Sequence, residues 1–341
     1  MKEIVTGFLC ILYSSSFSQS IPDTIHEEDA KRHINYLAAD RLKGRVNFTK
    51  EQLEAAIYIK NEFTTYGLQP LAPYACFYQP FLDGSRHFLP FYSACDTLVD
   101  TILYNIVGVL PGKSRADELI IFSAHYDHVD IGLTGENGIH NGANDNASGT
   151  AAVLMLARYF SMRHDNERTI VFCLFAGEEL GLLGSTAFVR NTELTKIKAV
   201  INIEMIGRNT RTGKNGFFLT GSDSSDLAGI LKKNLKGDKV KVRNEGQDIS
   251  GLYYRSDNYS FAKKGIPAHS IMCSDDKEPC YHRPCDDIKL IDTKNMTRVI
   301  QAIAKGCATL ISGEDTPKGT PDIRSVKGMD VLFSGIPVSL P

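Results

Sequence analysis

The 341-residue chain has no tryptophan, no run of basic residues and no apolar stretch long enough to cross a bilayer. Proteins that grip nucleic acid display a clustered basic face, and a formal net charge of −2 with dispersed lysines and arginines removes that class of partner. The apolar stretch Ile4–Tyr13 has about half of the ~20 residues that a spanning helix needs, so no membrane span is expected. Also missing are an internal repeat and a Pro/Gly-rich linker in the middle of the chain. One domain of residues 21–312 is therefore expected, not two. What is present is ordinary globular material: 43% hydrophobic and 23% charged residues.

The ends differ from the middle. Residues 1–20, "MKEIVTGFLCILYSSSFSQS", combine an early lysine, an apolar stretch and the small residues Ser16, Ser18 and Ser20. That is the layout of a secretory signal peptide, and it predicts an exported (periplasmic, cell-surface or extracellular) protein. Bulky Leu9 before Cys10 argues against a lipidation site. The tail 313–341 is rich in proline and glycine, and no role is assigned to it. After cleavage seven cysteines remain, an odd count that leaves at least one free, and Cys173 in an apolar run is the buried candidate. Cys273, Cys280 and Cys285 lie close enough for one local disulfide, which an oxidising compartment would favour.

Residues 26–69 read as two amphipathic helices with a turn at Lys43–Gly44 and a Gly67 cap. Residues 70–98 read as a loop or short edge strands. From about 103 to 312 strands and helices alternate. "LYNIVGVLPG", "ELIIFSAHYDH", "RTIVFCLFAG", "IKAVINIEMIG", "NGFFLTGS" and "IPAHSIMC" are strand-like. "ASGTAAVLMLARYFSMR", "EELGLLGSTAFVRN", "SSDLAGILKKNLK" and residues 292–312 are helix-like. This alternation predicts an α/β fold with a mostly parallel mixed central sheet and helices on both faces.

In such sheets ligands gather beyond the carboxyl ends of the strands, and the residues there share one chemistry. His125, Asp127 and His128 follow the second strand of this region, and Asp145 lies in the polar loop before the next helix. Glu178 and Glu179 follow "TIVFCLFAG", Glu204 sits in "NIEMIG", and His282 follows the last strand. Alone, "GEEL" reads as two acids at a helix start, where the helix dipole favours them. With four other strand ends bearing potential ligands, it reads as part of one metal pocket. Two imidazoles and several carboxylates suit zinc in a site with an open position, or two ions ~3.5–4 Å apart sharing a carboxylate. One of the adjacent glutamates can then turn to a metal and the other serve as general base.

The segments "SAHYDH", "GANDNASGTAAVLMLAR", "FAGEELGLLGS", "NIEMIG", "SDNYSF" and "YHRPCDD" together resemble metallopeptidase family 28, the co-catalytic zinc aminopeptidases. Glutamate carboxypeptidases belong to the same family, and glutaminyl cyclases are close structural relatives. The likeness runs in order over about residues 30–312. It implies the zinc-dependent exopeptidase (phosphorylase/hydrolase-like) fold and two zinc ions bridged by Asp145. Glu179 and His282 would complete one metal site, and His125 and Glu204 the other. It further implies Glu178 as general base and acid, Asp127 as the group holding the His125 ring, and Tyr281 as a donor to the oxyanion. Asp257 and Asp286 would be orienting groups. The substrates implied are peptides with a free N-terminus.

Two departures stand out. Most members of the family carry Asp where this chain has Glu204, a carboxylate reaching ~1.5 Å further. "SDN" also replaces the commoner "SDH". His128 and His140 lie near the predicted site without a role. His26, His33, His87, His164 and His269 read as surface or packing residues. The sequon at Asn146 adjoins a predicted ligand and is discounted; Asn258 begins another. Loops 70–98 and 244–256 would set side-chain preference. Two other readings are a single-zinc glutaminyl cyclase and a non-catalytic domain on the same fold. The first is disfavoured by the absence of tryptophan, the second by the fully occupied ligand positions.

Overall fold

The computed structural model describes residues 25–82, 95, 98–130, 137–246 and 251–319. The leader-like segment 1–20, His87 and residues 320–341 of the tail lie outside them. The strands are β1 (Gln69–Pro70), β2 (Tyr78–Phe81), β3 (Leu103–Leu110), β4 (Arg115–His125), β5 (Arg168–Phe175), β6 (Ile197–Ile203), β7 (Gly216–Leu219), β8 (Lys241–Val242) and β9 (Ala268–Met272). The helices are α1 (Glu27–Leu37), α2 (Lys50–Thr65), α3 (Ser148–Arg163), α4 (Leu183–Arg190), α5 (Leu227–Asn234), α6 (Asn258–Ala262), α7 (Thr293–Gly306) and α8 (Ala308–Ser312). None of the helices among the described residues is long and apolar enough to cross a membrane.

The strands form one nine-stranded mixed sheet in the order β1-β3-β5-β4-β6-β9-β7-β8, with β2 also on β3. Its centre, β5-β4-β6-β9, is parallel. The flanks turn antiparallel, where β3 meets β5 and β7 meets β9. Both faces of the centre are apolar because both are covered. Ile170, Phe172 and Leu174 of β5 face one core with α1, α2, α3 and α7, while Val171, Cys173 and Phe175 face a second core with α4 and α6. Fully burying one such side chain contributes about 1.5–3 kcal/mol.

Strand β4 decides where the site lies. The chain leaves β4 for β5 on one side and then crosses to β6 on the other, so strand order reverses at β4. His125 ends β4 at this switch point, in register with Phe175, and Ser123 is in register with Asn202 of β6. The segments leading to Glu178 and Glu204 therefore emerge on either side of His125.

Several boundaries differ from the sequence reading. The predicted helix from Glu178 begins only at Leu183. Before it, the amides of Gly181 and Leu182 both close onto the Glu178 carbonyl. Leu182 sits at φ +60, a left-handed conformation that interrupts helix. Glu204 lies one residue beyond β6, and residues 292–312 divide at Cys307 into α7 and α8. The turn at Lys43–Gly44 is present, with both residues left-handed. Gly44 is required there, since a Cβ would stand 2.2 Å from the His140 carbonyl oxygen. Disulfides join Cys76 to Cys95 and Cys280 to Cys285, leaving Cys173, Cys273 and Cys307 free and buried.

Candidate metal centre

The loop before α3 carries Asp145 into the space beyond β4. Asp286 fixes it by accepting the amide of Asn144 at 2.8 Å and that of Asp145 at 3.0 Å. His125 Nε2 then lies 3.3 Å from Asp145 Oδ1, and His282 Nε2 lies 3.1 Å from Asp145 Oδ2 and 3.2 Å from Glu179 Oε2. His282 comes from the loop closed by the Cys280–Cys285 disulfide, and the Tyr281 ring stacks on it at 3.8 Å. Arg255 donates to the Tyr281 hydroxyl at 3.5 Å.

Potential ligand atoms within 4.8 Å of one another fall into overlapping groups. One is His125, Asp145 and Glu204; another is His128, Asp145, Glu179 and His282; a third is His125, Glu178 and Glu179. The structure thus gathers every residue expected to ligate metal, with Asp145 common to two groups. It adds His128, which the sequence reading left without a role. The sequence signal was its place three residues after His125; the bridge of its backbone to Val46 shows only in the structure.

The donor set fits a bound cation. His125 Nε2 and His282 Nε2 are buried and make no hydrogen bond, although carboxylate oxygens lie just over 3 Å away. Imidazole nitrogens and carboxylates that converge without a proton aligned between them are arranged as ligands of zinc. The electrostatics agree. Burial and the charge of Asp145 oppose ionisation of Glu179, yet the His128 and His282 imidazoles beside its carboxylate hold it down to about 2. Burial, reinforced by the charges of Glu179, Glu204 and Asp257, pushes Glu178 well above the ordinary carboxyl range. Burial also raises Glu204 to about 7, although the Ser256 hydroxyl donates to its carboxylate.

Asp127 meets the His125 ring through its main chain, and its carboxylate is engaged elsewhere. His125 Nδ1 donates to the Asp127 main-chain oxygen at 3.1 Å, while the carboxylate stands 3.7 Å from that nitrogen. The carboxylate instead accepts from Asn47 Nδ2 at 2.6 Å and from the amides of Glu178 and Glu179 at 3.2 and 3.3 Å. It thereby ties the Glu-Glu turn to the end of β4. Asp257 is buried at the start of α6, outside the three ligand groups, and burial raises it to about 7.

Arg45 was not foreseen from the sequence. It is fully buried and donates to the carbonyls of Leu37, Tyr126, Asn141 and Gly142, so it joins the amino-terminal helices to both ligand-bearing loops. Both sequon asparagines are buried: Asn146 donates to the Ile203 carbonyl and Asn258 to that of Tyr253.

The family model described as peptidase family M28 matches residues 105–306. The chain belongs to that family. Aminopeptidase YwaD of Bacillus subtilis is 27% identical over 239 residues, covering 67% of this chain and 49% of the relative. The chain spans half the length or less of the curated relatives it matches. Among solved structures, BSAP, a zinc aminopeptidase from Bacillus subtilis, shares the fold with a TM-score of 0.65 at 16% identity, over 87% of this chain and 98% of that one. Porphyromonas gingivalis glutaminyl cyclase does so with a TM-score of 0.64 at 17% identity, over 85% and 100%.

Proposed function

We propose that the chain is an exported zinc aminopeptidase with a dinuclear site. The observation that carries this reading is the pair of donor groups sharing Asp145, with Glu178 beside them. Glu179 and His282 would hold one ion, His125 and Glu204 the other, and Asp145 both. Zinc bound there supplies Lewis acidity, polarising the scissile carbonyl and making water a better acid.

Glu178 is the general base. Its carboxylate makes no hydrogen bond among the described residues, and its burial among acids keeps its proton affinity high. It takes a proton from the attacking water as the oxygen adds to the carbonyl carbon. It then returns that proton to the amine as the C–N bond breaks. The Tyr281 hydroxyl is the candidate donor to the developing oxyanion, and the uncompensated carboxylates favour a substrate with a free ammonium. Asp127 and Asp286 position the Glu-Glu turn and the Asp145 loop. The leader-like residues 1–20 and the two disulfides support export into an oxidising compartment.

The test is Glu178→Gln assayed on a leucine anilide alongside elemental analysis. The proposal expects turnover to fall by about 10³-fold or more with zinc content unchanged. Near-normal turnover removes Glu178 as the base. Because a glutaminyl cyclase shares the fold to a similar degree, an N-terminal glutaminyl peptide provides the second arm. Free glutamine supports the peptidase, whereas a pyroglutamyl peptide supports the cyclase.

A further inference from the structure

His128 is 1% exposed and is fixed on two sides. Its backbone pairs with Val46, and its ring lies against Gly142, where a Cβ would come within 2.6 Å of the imidazole. Gly142 adopts φ +55, so both the conformation and the close approach call for glycine. Its Nδ1 lies 3.2 Å from Glu179 Oε1 and 3.9 Å from Asp145 Oδ2. Its Nε2 is buried with no hydrogen-bond partner among the described residues, so the ring's polar engagement is through Nδ1, towards the carboxylates.

Those separations can be compared with a coordination polyhedron. Zinc bonds of ~2.0–2.2 Å to nitrogen and oxygen give a tetrahedron with edges of ~3.4 Å. The four separations relating His128 and His282 to Asp145 and Glu179 are 3.2, 3.9, 3.1 and 3.2 Å. The His128 and His282 rings meet edge to face at 5.6 Å, and all four ligand atoms lie within 4.8 Å of one another. No comparable fourth side chain joins His125, Asp145 and Glu204 among the described residues.

We propose that His128 is a fourth protein ligand of the ion held by Asp145, Glu179 and His282. The proposal rests on the zinc reading above. It makes the two positions unequal: one is closed by four side chains, as in structural zinc sites, and the other keeps an open position, as in catalytic ones. The closed position fills first and releases its ion last. The competing role for His128 is an outer-sphere hydrogen bond that only orients Glu179.

The experiment uses the full chain depleted of metal with a chelator and reloaded with one equivalent of zinc. X-ray absorption should then report two imidazoles per zinc, His128 and His282. One imidazole overturns the proposal. In parallel, zinc titration against a competing chelator should show the first ion weakened by more than about 100-fold in His128→Gln. Loss of an outer-sphere partner costs roughly 10–100-fold, so a change within that range or below it overturns the proposal. If His128→Gln does not fold, the absorption result on the unaltered chain decides alone. Two zinc ions bound, with one imidazole at the first, leaves the zinc reading standing and removes His128. No zinc bound at all removes both.

Discussion

The Asp286 carboxylate receives the main-chain amide of Asp145 at 3.0 Å, and its other oxygen takes the preceding amide of Asn144. The residue that would bridge two metals is thus aimed by its backbone. Asp286→Asn keeps the volume but offers only one acceptor oxygen, and its NH₂ would face an amide donor. Activity should fall by roughly 10–100-fold with weaker zinc retention, the usual cost of losing support behind a metal ligand. Unchanged kcat/KM and zinc content in this variant would show that the loop holds its shape without Asp286.

Arg45 makes a prediction about stability. Its guanidinium donates to four carbonyls and, although burial draws it down to about 10, stays charged at neutral pH. Arg45→Met leaves those acceptors buried without donors. Groups stranded in this way cost about 1–3 kcal/mol each, so a loss of at least 3 kcal/mol in urea unfolding is expected. Lysine should not rescue it, because one ammonium cannot reproduce the planar fork. Full stability with lysine would mean that charge alone matters here.

The contrast between Arg45 and the proposed metal ligands shows what was legible in the sequence. The proposed ligands betray themselves by position: most lie at or beyond the end of an apolar strand, and the pattern of strand ends places His125, Glu179 and Glu204 without coordinates. Arg45 acts through carbonyls as far away as Gly142, and backbone acceptors carry no residue type to read. His128 is the intermediate case, adjacent to the motif but dependent on the Val46 bridge for its direction. The helix expected from Glu178 failed because apolar spacing does not register a left-handed Leu182. The antiparallel flanks were equally hidden, since strand order depends on crossovers rather than on composition.

His33 gives a pH prediction distant from the site. Burial, aided by the neighbouring charge of Arg32 and by Arg158 and opposed by Glu62, lowers its pKa from 6.5 to about 3. Arg32 donates to Nε2 and Nδ1 pairs with the Tyr58 hydroxyl at 2.8 Å, an arrangement suited to the neutral ring. The unfolded chain takes up this proton near pH 6.5 and the folded one only near pH 3. The contribution is therefore fully present above about pH 6.5. It is lost at up to about 1.4 kcal/mol per unit as pH falls through that window. Urea unfolding at pH 7.5 and pH 5 should show the wild type losing about 1–2 kcal/mol more than His33→Gln. Equal losses would rule out His33 as the titrating group.

Glu204 is where this chain departs from the aspartate its motif leads one to expect, and its surroundings are built for the longer side chain. The Ser256 hydroxyl donates to the Glu204 carboxylate and accepts from Asn202 Nδ2 at 2.8 Å, while Asn202 Oδ1 accepts from Ser123 at 2.8 Å. A chain of hydrogen bonds across β4 and β6 therefore ends on this carboxylate. Glu204→Asp withdraws the carboxylate by ~1.5 Å, more than the slack in a hydrogen bond. That variant should lose the Ser256 contact, weaken the second zinc ion by roughly 10–100-fold and lower kcat correspondingly. Ser256→Ala should reproduce part of the loss with Glu204 intact. If Glu204→Asp instead binds its second zinc more tightly than the wild type, the network is no adaptation to the glutamate. The extra methylene would then be a defect that the site tolerates.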